Sequence, residues 1–399
     1  MKLKYGTINS DSHGQLDKDT WTNRMSKAKW GAAIPQLKPT QDVAHMAVDW
    51  GEKDVWRWFI NDELVDARSV CNCPTVMQDP KWGEAGAHRK YFPQRWSDVP
   101  RKVYVPAERL KALDEDGIDA EVMFFNNPVQ GGSALQHPDP AFELEVVQAY
   151  NDGACDFKKF SDRFIPLSML PYLGGIESTV AEMERATKNG ARGPNMLPEP
   201  STRGKGLKHF NDRYWDPLWA AAQDLEVPIN WHGGGVQVNM DAWKGFTRNE
   251  RQGFGGSGAA TMNLASAIFS GVMDRYPKLQ WHVAEVGTGW INYVIEGCDF
   301  EWEKRRLWEH GMPTRPSEIF QRNWHVSFWF EQFGQVQRFD RGMRNQMWLN
   351  DYPHSTSIYP ESWDFIERTL SGVPQDERDQ LLWKNAANLF KLDVVDARA

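Results

Sequence analysis

Five short stretches of this chain bring metal-binding residue types to places where an apolar run meets a turn. Asp11 and His13 stand two apart in "TINSDSHG", and His232 closes "INWHGGG". Glu285 follows the run in "LQWHVAEVG", and Asp351 and His354 lie in "MWLNDYPHS". Asn195 in "GPNML" is a lesser fifth. Strand alternation places Asp11 and His13 on one face, and likewise Leu349 and Asp351. The same alternation points His282 the opposite way, into helix packing. Taken singly, a histidine at a strand end is usually structural, and an aspartate before a turn is usually an Asx cap. Taken jointly, two imidazoles and two or three carboxylates crowded at one end of a sheet are costly unless a divalent cation neutralises them together. Imidazole with carboxylate suits Zn, Mn or Fe, and no thiolate at these positions argues for a soft site. One ion and two ions are both open.

The elements that must carry these residues alternate in type. "DGIDAEVMFFNNP", "DRFIPLSMLPY", "ARGPNMLPE", "VPINWHGGG", "LQWHVAEVG", "NWHVSFWF" and "QMWLNDYPHS" read as buried strands. Between them, "AFELEVVQAYNDGACDFKKF", "GIESTVAEMERATKNG", "DPLWAAAQDLE", "SAIFSGVMDRYP", "GWINYVIEGCDFEWEKRRLWEH" and "RFDRGMRN" read as helices. Alternation of this kind predicts a parallel sheet. Seven or eight repeats favour a closed (β/α)8 TIM barrel, whose chemistry gathers at the C-terminal ends of its strands. The whole chain, 1–399, reads as a single barrel. Residues 41–105 interrupt the alternation with Trp50, Trp56, Trp58, Trp82 and Trp96 among prolines and glycines. They are expected to form an insertion subdomain after the first strand, acting as a lid or as a surface subdomain without chemistry.

Composition narrows the function classes. The net charge of -8 disfavours a nucleic-acid partner. No apolar window is long enough to span a membrane, and "MKLKYGTINSDSHG" lacks the apolar core of a signal peptide. No Gly-x-Gly-x-x-Gly follows a strand, which removes a dinucleotide reading. Four cysteines, Cys71, Cys73, Cys155 and Cys298, are too scattered for a disulfide framework, and Cys71-x-Cys73 has no second pair to make a zinc site. A reduced, cytoplasmic, soluble protein is expected. Twenty tryptophans are a high count for this length; some belong in the core, and an aromatic-walled pocket for a bulky aryl or acyl compound is also expected.

The order Asp-x-His, Trp-His-Gly, Glu-x-Gly-x-Gly-Trp and Asp-Tyr-Pro-His resembles the amidohydrolase-related metal-dependent barrel family, which includes aminocarboxymuconate-semialdehyde and resorcylate decarboxylases. "GVMDRYPKLQWHVAEVGTGWINYVIE", "RPSEIFQRN" and "NDYPHSTSIYPES" carry most of the likeness, and the chain is similar to the longer branch with an expanded first loop. The resemblance implies metal ligands at Asp11, His13, His232 and Asp351, with Glu285 a further ligand or a base. The first pair is "DSH" here rather than His-x-His or Glu-x-His, and Glu285 stands where the decarboxylases carry a catalytic histidine. That exchange favours hydrolysis of an amide, ester or thioester. The cation lowers the pKa of bound water to about 7, Asp351 takes the proton, His354 or Asn195 helps polarise the carbonyl, and Glu285 serves the leaving group. Non-oxidative decarboxylation of an aromatic or unsaturated acid is the alternative, with hydration of an unsaturated acid and a catalytically inactive binding barrel behind it. Relatives also suggest a homodimer.

Overall fold

The computed structural model describes residues 1–40, 55–65, 69–74, 92–126, 128–233, 257–332 and 343–398. Eight parallel barrel strands run through them. We number them β1 (Ile8–Ser12), β2 (Ala120–Met123), β3 (Phe164–Pro166, resumed as Ser168–Met169), β4 (Pro194–Asn195), β5 (Ile229–His232), β6 (Trp281–Ala284), β7 (Trp324–Phe328) and β8 (Gln346–Trp348). Parallel ladders join β1 to β2 and β2 to β3, then β3 through β4, β5, β6 and β7 to β8. The sheet closes past the end of β8: Asp351 N donates to Asp11 O at 3.1 Å and His13 N to Tyr352 O at 2.7 Å. The result is an α/β barrel, as the alternation of apolar runs predicts.

Helices cover its outside. Those used below are α1 (Pro106–Asp116), α2 (Pro140–Phe160) and α3 (Ile291–Lys304). Proline at the first position starts α1, and Gly117 in the left-handed region ends it. The Asp139 carboxylate caps α2 by accepting from Ala141 N at 2.8 Å. The long helix expected through His310 stops at Lys304, because Arg306 adopts φ 51° and Leu307–His310 forms a separate 3₁₀ turn. Of "RFDRGMRN", only the 3₁₀ turn Met343–Asn345 falls within the described residues.

Among the described residues, several tryptophans fill the layer between strands and helices. Trp219, Trp231, Trp281 and Trp324 pack there, with Trp281 and Trp324 stacked at 5.3 Å and 14°. Trp21, Trp58, Trp215 and Trp348 are also fully buried. Inside the barrel, Ile8, Ala120, Val122, Phe124, Ile165 and Met347 meet Leu389 and Phe390 from the C-terminal turn beneath. A polar floor crosses this interior. His282 Nδ1 meets Asn230 Oδ1 at 3.0 Å and its Nε2 meets Ser327 Oγ at 2.8 Å. His282 therefore points inward, contrary to the expectation that it faces the helices. It shares the inward face with Ala284, and the next residue, Glu285, leaves alternation because its φ is 54°.

Between β1 and β2, Gln36–Pro39, Trp56–Ile60 and Glu63–Leu64 form a small antiparallel sheet. Residues 41–54, 66–68 and 75–91, including Trp50 and Trp82, lie outside the described residues, so about half of the expected lid falls there. The four cysteines are buried and free, and neither Cys71 nor Cys73 joins a metal-capable group among the described residues. Among those residues no helix is long and apolar enough to cross a membrane.

Candidate metal centre

Six residues expected from the sequence converge at the C-terminal mouth of the barrel. β1 delivers Asp11 and, one residue past its end, His13; β5 delivers His232. The turns after β6 and β8 deliver Glu285 and Asp351, both in the left-handed region, at φ 54° and 56°. For a non-glycine residue this backbone is strained by roughly 1–3 kcal/mol, and such strain concentrates at functional sites. His354 follows Asp351 by three. It accompanies the turn closed by His354 N donating to Asp351 O at 2.9 Å. A side chain on Gly233 would press against Glu285 O at 2.3 Å, so glycine lets the ends of β5 and β6 lie together.

Distances within the cluster are short. His13 Nε2 lies 3.1 Å from Asp351 Oδ1, 3.5 Å from Asp11 Oδ1 and 3.1 Å from His232 Nε2. His232 Nε2 lies 3.6 Å from both Asp11 Oδ1 and Glu285 Oε2. Two overlapping groups have ligand atoms all within 4.8 Å of one another: Asp11, His13 and His232, and His13, Glu285, Asp351 and His354.

Hydrogen bonding shows whether these atoms fit a cation. His13 Nδ1 donates to Phe124 O at 2.7 Å, and His232 Nδ1 to Gly233 O at 2.8 Å. Carbonyls only accept, so both Nδ1 atoms carry hydrogen and both Nε2 lone pairs are left for the cluster. Both Asp11 carboxylate oxygens are buried without a hydrogen-bond donor. Buried acceptors aimed at one another from four strands need positive charge among them, and a divalent ion with N/O ligands supplies it. Without the ion, protons answer the same demand. Burial and the neighbouring His354 push His13 down to about 4. Burial also lowers His232, yet Asp11, Glu285 and Asp351 outweigh it and push it up to about 10. Asp351 is held below its ordinary range: burial raises it, but His354 and His13 overcome this.

Other residues support the cluster that sequence reasoning missed. Asn126, three residues past β2, places its Oδ1 2.8 Å from His354 Nε2. His354 Nδ1 lies 3.1 Å from Asp351 Oδ1, and its ring stacks on His13 at 3.6 Å. Thr356 bonds the other oxygen of Asp351. The Phe124 ring packs 4.9 Å from His232. Asking which polar residues follow every strand would have raised Asn126 from "MFFNNP". Asn195 is placed differently. It pairs in register with Asn230, two residues before His232, and among the described residues its side chain makes no hydrogen bond to the cluster.

Comparison with known proteins agrees with this architecture. Residues 85–392 match the family described as Amidohydrolase. Gamma-resorcylate decarboxylase of a Polaromonas species is 24% identical over 315 residues, spanning 75% of this chain and 91% of that protein. The crystal structure of an amidohydrolase from Mycobacterium avium subsp. paratuberculosis superposes with a TM-score of 0.74 at 20% identity, covering 97% of this chain and all of that one. The structure of a dihydroxybenzoic acid decarboxylase from Polaromonas, with bound manganese and the inhibitor 2-nitroresorcinol, gives a TM-score of 0.62 at 18% identity and covers 98% of both chains.

Proposed function

The chain belongs to the amidohydrolase family, and from that premise we propose that it is a divalent-metal-dependent enzyme that decarboxylates a small aromatic or unsaturated carboxylic acid without an oxidant. The observation that carries the metal is the pair of opposed Nε2 lone pairs on His13 and His232, flanked by the donor-less Asp11 carboxylate. The decarboxylase activity of the Polaromonas relative, similar over three quarters of this chain, supports decarboxylation over hydrolysis.

In this reading Asp11, His13, His232 and Asp351 would hold the ion, Mn, Zn or Fe, with Glu285 a further ligand from beside His232. When bound, the ion supplies a Lewis acid that neutralises an anionic substrate at the mouth. Breaking the carbon–carboxylate bond releases CO2 and leaves the bonding pair on the substrate carbon, which must take one proton. His354, fixed between Asp351 and Asn126, and Glu285, beside His232, are the groups assigned to move that proton. The segment 41–105 is assigned the role of a cover. Its C-terminal end is tied to the mouth, where Gln15 N donates to Val103 O at 3.1 Å.

A second reading rests on Glu285. A carboxylate 3.6 Å from His232 Nε2 is the group that water activation requires, and it suits hydrolysis of an amide, ester or thioester. Isotopes separate the two. With 2,6-dihydroxybenzoate as first probe in D2O, decarboxylation puts deuterium on the vacated carbon and releases CO2. With aryl amides and esters in ¹⁸O-water, hydrolysis puts ¹⁸O into the product acid. Heavy oxygen in product with no CO2 from any aryl acid overturns the decarboxylase reading. A preparation that binds no metal and does not melt higher with Mn, Zn or Fe overturns both in favour of an inactive binding barrel.

A further inference from the structure

Glu285 holds a backbone conformation that a glutamate avoids, so something outside it must impose that conformation. The turn it begins, 285–290, is anchored on two sides. Trp290 Nε1 donates to Val286 O at 3.0 Å and to Gly287 O at 2.9 Å, which ties the turn to the start of α3. The second anchor comes from another strand. Glu331, three residues past β7, accepts from Thr288 N at 3.0 Å through Oε1. Its Oε2 accepts from Trp329 N at 2.8 Å and Phe330 N at 3.2 Å. One carboxylate thus takes three main-chain hydrogens from the turns after β6 and β7. Gly287, at φ 65°, makes room for it: a Cβ there would lie 2.7 Å from Glu331 Oε1.

We propose that Glu331 is a positioning residue for the reaction, fixing Glu285 against the metal cluster by clamping the Glu285–Thr288 turn to the end of β7. Charge-assisted bonds to main-chain N–H groups are the strong kind and are rigid in direction. A neutral amide cannot replace them, because its NH2 would oppose at least one of the three donors. Released from the clamp, Glu285 relaxes out of its left-handed conformation, and its carboxylate leaves its place 3.6 Å from His232. A plain structural role would cost stability alone; a positioning role acts on the cluster through Glu285 and through nothing else.

The inference rests on the proposed metal site, and the test uses Mn²⁺ alone, so no substrate is needed. Titrate Mn²⁺ by calorimetry into wild type, Glu285→Gln, Glu331→Gln and the double variant. Glu285→Gln is expected to weaken Mn²⁺ at least tenfold and Glu331→Gln about tenfold, the range seen when an outer support of a metal site is removed. The double variant is expected to bind no more weakly than Glu285→Gln, because the clamp acts only through Glu285. Wild-type Mn²⁺ affinity in Glu331→Gln, or losses that add in the double variant, overturn the inference and leave the metal site standing. Wild-type affinity in Glu285→Gln overturns the placement of Glu285 and the inference with it. Should Glu331→Gln not fold, Gly287→Ala pushes the same carboxylate away from the other side; it is expected to show the same loss, and unchanged Mn²⁺ affinity there overturns the clamp.

Discussion

The Nε2 atoms of His13 and His232 face each other across 3.1 Å while each ring's Nδ1 is committed to a main-chain carbonyl. The space between them has room for one positive centre, a proton or a metal ion. The two compete, so Mn²⁺ binding displaces about one proton and its affinity rises about tenfold per pH unit across the neutral range. Calorimetry in two buffers of different ionisation enthalpy measures that proton count. Removing the ion with a chelator should abolish turnover and lower the melting temperature, and Mn²⁺ should restore both. A chelated protein that melts unchanged would remove the basis of the metal reading.

His354 depends on a partner that the sequence reading overlooked. Asn126 Oδ1 fixes one ring nitrogen at 2.8 Å, and Asp351 faces the other at 3.1 Å. Replacing Asn126 with alanine frees the ring to rotate off its stack on His13. The expected loss is about 10–100-fold in kcat, with about 1 kcal/mol of stability from the lost bond. Steady-state kinetics beside a urea melt separate the two effects. Unchanged kcat would show that His354 needs no fixed orientation.

The distribution of legible and illegible features follows from what periodicity can carry. Asp11, His13, His232 and Asp351 were found because each ends an apolar run, and a barrel brings strand ends together whatever the loops do. His282 was misplaced because the backbone turns over at Glu285, and no residue type marks a glutamate for φ 54°. Asn126 was missed because nothing in "MFFNNP" marks where β2 ends, and the place of Asn126 at the mouth depends on that strand ending at Met123. The tryptophans show a different limit of pattern. An aromatic residue in a strand reads alike whether it meets a helix or a ligand, and Trp231, Trp281 and Trp324 meet helices.

Asp116, at the end of α1, is a stability switch that answers to pH. Burial pushes its carboxyl up to about 6, against opposing bonds from Ser362 and Asn350. The folded state therefore keeps a proton that the unfolded chain releases near pH 4. Stability from this group is full below about pH 4, falls as pH rises to about 6 and stays level above, with a span of roughly 3 kcal/mol at 1.36 kcal/mol per unit. Urea melts at pH 4.5 and 7 should show wild type losing more stability than Asp116→Asn over that interval. Equal losses in both would mean that Asp116 titrates normally.

The buried pair Arg109–Glu121 links the stability of the barrel to the cluster. Arg109 Nε and Nη2 each meet a Glu121 oxygen at 2.7 Å, and both side chains are sealed from solvent. Nη2 also reaches Tyr352 O at 3.3 Å, and the guanidinium lies 4.3 Å over the Tyr352 ring. That same carbonyl accepts from His13 N, so the arginine braces the turn that presents both His13 and Asp351. Arg109→Leu removes the charge, the planar fork and the stacking, and strands the Glu121 carboxylate in the core. It should cost about 3–5 kcal/mol, as when one partner of a buried pair is broken, and it should weaken Mn²⁺ binding as the turn loosens. Replacing both residues with leucine removes the stranded charge and should recover most of the stability while leaving Mn²⁺ binding weak, because the Tyr352 carbonyl still lacks its brace. Urea melts and Mn²⁺ titrations on the single and double variants give both quantities. If the double variant recovers wild-type Mn²⁺ affinity along with stability, the pair only fills the core and the brace through Tyr352 does not exist.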